Sequence, residues 1–280
     1  MENEDPWGKP WRDYTYVAFD TETSGKFPLV AEIVEIAGVK WRGGKVIETY
    51  QTFVKPQRPM GEAVINIHHI TNEMVESAPR IHEVLPAFDS FIKDSVLMAH
   101  HAAFDMGFLA LEYDKIGMPL PVAPVLDSCL LGRKAFPDSI NHRLATLVAL
   151  LDIKMAQAHR ALDDSLACQE VTLRCMEKLG GLMTLDFMFN EQGGAFLWPR
   201  YSMKDLIADE KTRPLVEGSR QQLLLEITYQ GGSKPGQPRR ITPQGLVRNP
   251  VGDYVVGLCH NDNREKRFYL NRILTAKILD

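Results

Sequence analysis

A chain of 280 residues with 45% apolar and 24% charged residues and a net charge of −4 has the balance of a globular protein. It has room for one large domain, or a large and a small one. No run approaches the roughly 20 apolar residues that cross a bilayer. The polar, acidic start MENEDPWGKPW lacks the basic-then-apolar order of a signal peptide. Membrane and secreted classes are thereby disfavoured, and a cytoplasmic location is expected. Residues 1–13 read as a flexible lead-in. The four cysteines (Cys129, Cys168, Cys175, Cys259) have no CxxC spacing and fit free thiols in a reducing compartment. Cys168 and Cys175, seven apart, suit one buried helix face.

Tyr14–Phe19 (YTYVAF) reads as a first strand. Ile33–Lys40 and Val46–Val54 follow as two more, joined across Gly43-Gly44, a hairpin signal. Residues 62–76 suit two short helical turns with Thr71 as an N-cap. Ile81, Val84, Leu85, Phe88, Phe91 and Ile92 recur at helical spacing. A short strand Val96–Ala99 comes next, then a helix Ala103–Ile116 stopped by Gly117. Val125–Leu131 is expected as a strand, and 142–151 and 161–179 as helices. A meander followed by α/β crossovers implies a mixed sheet of about five strands flanked by helices.

Residues 182–219, broken by Gly193-Gly194, Pro199 and Pro214, read as a connector with short helices. From residue 220 the pattern changes to short strands: Leu223–Tyr229, Arg239–Thr242, Tyr254–Cys259 and Arg267–Leu270, with the turn-rich QGGSKPGQP between the first two. Charge changes too. Arg220–Asp280 holds ten basic and five acidic residues, leaving 22 basic and 31 acidic before it. The expected division is a tail 1–13, a catalytic domain 14–180, a connector 181–219 and a basic all-β module 220–280.

Three places carry acids where apolar structure predicts none. "FDTETSG" (19–25) sets Asp20 and Glu22 at the end of the first strand, on one face of it. "HHAAFD" brings Asp105 just after a strand, and "HRALDD" brings Asp164 five residues after His159. Such strand ends are where α/β sheets build sites. Four converging carboxylates repel one another unless cations sit among them. An all-oxygen set suits Mg²⁺ or Mn²⁺ rather than zinc. Two such ions about 4 Å apart stabilise the attacking and leaving oxygens of a phosphoryl displacement. A histidine, with an ordinary pKa near 6.5, can take the proton of an attacking water.

These three motifs, in this order, resemble those of the DEDDh 3′–5′ exonucleases, the family of the polymerase III epsilon proofreading subunit, over residues 14–180. The resemblance implies a ribonuclease H-like fold and two Mg²⁺ or Mn²⁺ ions. It assigns Asp20, Glu22 and Asp164 to one ion, Asp20 and Asp105 to the other, and His159 as general base. Asp163, one residue short of the family spacing, is left to a solvated or helix-terminal role. Thr21, Thr23, Gly25, Phe27, His68, His101 and Phe104 fall at substrate-contacting positions. For His68, in "NIHHIT", a packing role stays open. His101 stands where the family often has Asn. Lys26 follows Ser24-Gly25 where a Leu is common, and Phe27 is the substitute for that wedge. The implied activity is removal of nucleoside monophosphates from a single-stranded 3′ end, DNA in preference to RNA, with a separate polymerase or repair partner. An RNA-trimming enzyme and a catalytically silent, nucleic-acid-binding or ligand-sensing regulator are the competing expectations.

In the tail, Ile227-Thr228-Tyr229, Pro243, Gly245-Leu246, Tyr254 and Arg267–Ile273 (RFYLNRI) resemble a WYL domain, a small Sm- or SH3-like barrel. The Trp-Tyr-Leu triplet is replaced by Asp253-Tyr254-Val255. The resemblance implies nucleic-acid or ligand binding, with Arg240, Arg248, Arg267 and Arg272 as candidates because arginine forks suit phosphate and guanine. "QQLLLE" (221–226) faintly suggests a sliding-clamp motif but is better used as a strand.

Overall fold

The computed structural model describes residues 6–232 and 235–279. Residues 1–5 of the expected tail, and Ser233-Lys234 of the turn-rich stretch, lie outside them. Trp11–Asp13 form a 3₁₀ turn, and Trp11 is buried in the core, its backbone N–H donating to Met183 O at 3.1 Å and its indole N–H to Gly180 O at 3.3 Å. The expected lead-in is thus fixed structure from there on, because an indole buries too much apolar area to stay in water.

Strands β1 (Thr15–Thr23), β2 (Ile33–Arg42) and β3 (Lys45–Phe53) form the antiparallel meander. Short helices α1 (Glu62–His68) and α2 (Asn72–Val75) follow, the second capped by Thr71, whose Oγ1 accepts from Met74 N at 3.4 Å. Helix α3 (Ile81–Ile92), strand β4 (Val96–Ala99), helix α4 (Ala103–Ile116) and strand β5 (Val125–Asp127) come next. The sheet order is β3-β2-β1-β4-β5, with β4 and β5 parallel to β1. The mixed five-stranded sheet read from the sequence is present, with helices over both faces.

Two boundary differences bear on the carboxylates and on the start of α5. β1 runs on to Thr23, so Asp20 and Glu22 lie within it, opposite Ala37 and Glu35 of β2. The strand expected over 125–131 stops at Asp127. There the Asp127 Oδ1 accepts from Cys129 N and Leu130 N and starts helix α5 (Ser128–Ala135). An N-cap side chain overrode apolar β-propensity. Helices α6 (Leu144–Leu150), α7 (Ala161–Gly180) and α8 (Leu185–Gln192) complete this part. On one face Phe88 of α3 meets Phe19 edge-on at 6.2 Å. On the other, Tyr16 stacks on Trp41 at 4.6 Å beside Cys168, Val171 and Cys175 of α7. All four cysteines are free and buried.

Helices α9 (Lys204–Ala208) and α10 (Arg213–Gln221) lead into β6 (Leu225–Tyr229), β7 (Pro238–Val247), β8 (Tyr254–Cys259), β9 (Arg264–Tyr269) and β10 (Ile273–Ile278). These five strands form a separate antiparallel sheet in the order β10-β6-β7-β8-β9. β9 and β10 are not paired with each other among the described residues.

Chain packing divides the molecule into two compact units. One comprises residues up to Ser24, Ile33–Asp105 and Pro121–Leu197; the other comprises Gly25–Glu32, Met106–Leu120 and the chain from Trp198. The expected connector is therefore shared: α8 belongs to the first unit, α9 and α10 to the second. Leu29 and Leu111, both far upstream in sequence, are core residues of the second unit with Met203, Leu206, Leu246 and Phe268. Among the described residues no helix is long and apolar enough to cross a membrane.

Candidate active site

The carboxylates are delivered by elements that leave them little freedom. Asp20 and Glu22 share one face of β1, a central strand hydrogen-bonded on both sides. Asp105 sits in the first turn of α4 and is 2% exposed. Its Oδ1 accepts from the backbone N–H of Thr21 at 3.0 Å and from the Thr21 hydroxyl at 2.6 Å. Asp164 lies in the first turn of α7, and its Oδ2 accepts from His159 N at 3.1 Å. His159 itself is exposed, with a left-handed backbone (φ 61°). Glu22, His159 and Asp164 each offer a ligand atom within 4.8 Å of the others. Asp163 is not part of that group.

Electrostatics shows what this geometry costs without counter-charge. Burial, then repulsion by Asp105, Glu22, Asp164 and Glu35, pushes the Asp20 carboxyl well above the ordinary range. Burial, then repulsion chiefly by Asp164, lifts Glu22 to about 8. Asp105 rises to about 7 through burial, opposed by its hydrogen bonds from Thr21. Asp164 rises to about 6, again mainly through burial. The group therefore holds protons near neutrality, and a divalent cation can displace them. The donor set fits a hard cation: anionic oxygens converge from separate elements, with one imidazole at the rim.

The sequence reading missed Glu35. This β2 residue is fully buried and lies directly opposite Glu22, a like-charge pairing that destabilises unless neutralised. Arg160 neutralises it, donating from Nε and Nη2 to the two Glu35 oxygens at 3.2 and 2.9 Å. Ala161 N and Gln51 Nε2 add bonds at 3.1 and 2.8 Å. The pair ties the start of α7, one residue past His159, to the central sheet. A lone carboxylate in the apolar run IVEIAGVK was the only signal, and its partner lies 125 residues away.

Asp127 is a second missed acid, buried as the α5 cap and accepting from Ala102 N at 3.0 Å, which fixes the turn before Asp105.

The other candidates fall in different settings. Thr21 is buried and serves Asp105; Thr23 is buried on the same strand. His101 and Phe104 are exposed near the start of α4. His68 is 2% exposed; its Nδ1 accepts from Ile70 N at 3.0 Å, and its Nε2 has no hydrogen-bond partner among the described residues. Gly25 and Phe27 belong to the second unit. There Arg240, Arg267 and Arg272 are exposed, with Arg267 lying 4.1 Å over Tyr254 and Arg272 5.8 Å over Tyr269. Arg248 is not at the surface. It is buried, bonded to Asp205 (Nη2–Oδ2 3.0 Å) and Ser202 O (2.6 Å), with Nε 3.2 Å from Asp253.

The fold is a ribonuclease H-like mixed sheet, and it carries a cluster of like-charged carboxylates on β1, α4 and α7. Residues 17–172 match the exonuclease family model, so the chain belongs to that family, and residues 210–278 match the WYL domain model. The DNA polymerase III PolC-type protein of Bacillus cereus is 39% identical over 151 residues, 54% of this chain and 10% of that protein. The chain thus spans about a tenth of the length of the curated relatives it matches. Among solved structures, "Exonuclease X in complex with 5′ overhanging duplex DNA" superposes with a TM-score of 0.50 at 26% identity, covering 64% of this chain and 99% of that one. The nuclease domain of 3′hExo, described as a DEDDh family member bound to rAMP, gives 0.53 at 19% identity over 61% and 96%, a likeness of fold.

Proposed function

We propose that this protein is a 3′–5′ exonuclease that hydrolyses the terminal phosphodiester of single-stranded DNA and releases nucleoside monophosphates. The observation that carries the reading is the convergence of Asp20, Glu22, Asp105 and Asp164, raised in pKa by mutual burial, with His159 beside Glu22 and Asp164. Asp20, Glu22 and Asp164 would hold one Mg²⁺ or Mn²⁺ and Asp20 with Asp105 a second. Such ions supply charge stabilisation at the phosphorus and lower the cost of ionising water. His159 stands at the solvent edge, where its imidazole takes a proton from the attacking water. The oxygen adds to phosphorus and the bond to the 3′ oxygen of the preceding nucleotide breaks. Thr21 holds Asp105, and the Glu35–Arg160 pair holds the His159–Asp164 turn, so the carboxylates stay in place as charge develops.

Arg240, Arg267 and Arg272 of the WYL domain are our candidates for contacting nucleic-acid phosphates: all three are exposed, and Tyr254 and Tyr269 lie beneath two of them. The name of the PolC-type relatives suggests ends made by a polymerase as the working substrate. The test is release of a labelled 3′-terminal nucleotide from single- and double-stranded DNA and RNA, with Mn²⁺ or excess EDTA, for the native protein and Asp20→Asn. The reading requires cation-dependent release from single-stranded DNA that Asp20→Asn abolishes. Equal release in all three conditions ends it.

A further inference from the structure

Three donors that the carboxylate centre does not use meet at the turn between β4 and α4. A ring nitrogen of His100, a ring nitrogen of His101 and the Sγ of Cys129 lie within 4.8 Å of one another. The histidines follow Ala99, the last residue of β4, and Cys129 lies in the first turn of α5. All three belong to the first unit. The thiol is remote from the histidines in sequence, so no metal-binding spacing announces the group.

The hydrogen bonds around His100 fix its tautomer. Its Nε2 lies 3.0 Å from His142 O, and a carbonyl can only accept, so Nε2 carries the proton. Nδ1 therefore has the lone pair, and the Ser128 hydroxyl donates to it at 2.7 Å. Burial, then the neighbouring His101, lower the His100 pKa to about 3, which keeps the ring neutral. A neutral imidazole whose far N–H is anchored on a backbone carbonyl is the form in which histidine ligates metals. His101 is exposed, and its ring meets that of His100 edge-on at 5.0 Å.

Cys129 is 1% exposed. Burial holds its thiol protonated, opposed by a hydrogen bond from Arg133. Packing alone accounts for a small buried thiol. It does not account for two imidazoles beside the sulfur, one of them set to give a lone pair.

The donor set decides the kind of ion. One sulfur and two nitrogens suit Zn²⁺, whereas Mg²⁺ and Mn²⁺ prefer the oxygens of the carboxylate centre. Asp127 is not a further donor, because its oxygens accept from the N–H groups of Ala102, Cys129 and Leu130. Three protein donors leave the fourth position to water, on the exposed His101 side.

We propose that His100, His101 and Cys129 form a zinc site separate from the carboxylate centre, tying the turn before Asp105 to α5. On binding, Nδ1 of His100 exchanges the Ser128 hydroxyl for the ion, and the Cys129 proton leaves to solvent. The Asp127–Ala102 hydrogen bond already joins the same two segments, so the ion fastens a junction rather than creating one. The proposal does not depend on the exonuclease reading.

The test uses Co²⁺ in place of Zn²⁺, because thiolate-bound Co²⁺ has a sulfur-to-metal charge-transfer band that carboxylate-bound Co²⁺ lacks. The full chain should take up Co²⁺ with that band, and Zn²⁺ should displace the cobalt and erase it. Asp20→Asn should keep the band, and Cys129→Ala should abolish it. His101→Asn should weaken Co²⁺ binding at least about tenfold. Asn suits the left-handed backbone at 101 (φ 60°), so this variant keeps the test open should Cys129→Ala fail to fold. Ser128→Ala removes the hydroxyl that competes for Nδ1 and should tighten binding about fivefold. The proposal is overturned by no band in the native protein, a band lost in Asp20→Asn, or a band that survives Cys129→Ala. Binding not weakened in His101→Asn, or not tightened in Ser128→Ala, overturns it equally.

Discussion

The two units treat buried charge in opposite ways. In the second, Arg248 is bonded to Asp205 and lies near Asp253, Asp253 also takes both Arg200 Nη atoms at 2.7 and 3.0 Å, and Arg239 lies 3.4 Å from Asp262. Each buried cation meets an anion, and the arrangement holds strands and helices together. In the first, Glu35 is matched by Arg160, but Asp20, Glu22, Asp105 and Asp164 have mainly one another. Charges that are buried and internally paired serve the fold. Charges buried together with the same sign are held there for something brought from outside.

The largest effect that sharpens this contrast is on activity. Asp20→Asn should cut nucleotide release at least about 10²-fold, since charge stabilisation at the reacting group is lost. It should also raise the metal-free melting temperature at pH 8, because it removes a self-repelling charge. A variant both inactive and less stable would place Asp20 among the structural acids.

Paired charges should behave the other way. Arg160→Ala removes the cation that pairs with Glu35, whose side chain is 0% exposed, and a loss of about 3–5 kcal/mol in urea unfolding is expected. Arg248→Ala should cost less, about 2 kcal/mol, because the Asp205 side chain is 60% exposed and Asp253 retains Arg200. Equal costs would contradict the distinction.

The acids give a pH signature with a definite sign. Their folded pKa values lie above the unfolded values near 4. The stability this provides is complete below about pH 4 and is lost as pH rises through about 6 for Asp164, 7 for Asp105 and 8 for Glu22. Thermal melts in EDTA should therefore fall from pH 5 to pH 8, and Mn²⁺ should raise the melting point more at pH 8 than at pH 5. The smallest effect belongs to the exposed arginines. Arg267→Ala should leave stability unchanged and reduce the salt dependence of single-strand binding by about one phosphate contact.

Much of the first unit was legible in the sequence because its chemistry is demanding. Three short motifs put acids at the ends of apolar runs, and few folds tolerate that without using them. The meander, the crossovers and the Thr71 cap follow from local periodicity and turn chemistry. What escaped depends on partners distant in the chain. Glu35 reads as an ordinary polar residue in a strand until Arg160 is placed beside it. Phe27 reads as a wedge for the terminal base until Gly245 is found against its side chain. Arg248 reads as one more basic surface residue, but Asp253, standing where the WYL triplet has Trp, draws its guanidinium inward. β10 (ILTAKI) was missed because its burial alternates weakly, with Ile273 alone buried.

The central claim is that the four carboxylates exchange protons for a divalent cation. Calorimetric titration of the metal-free protein with Mn²⁺, in buffers of differing ionisation enthalpy, counts the protons released. The predicted result is binding that tightens from pH 6 to 8, with release of more than one proton at pH 6 and of fewer at pH 9. Binding without proton release at pH 6, or no binding at any pH, would contradict it.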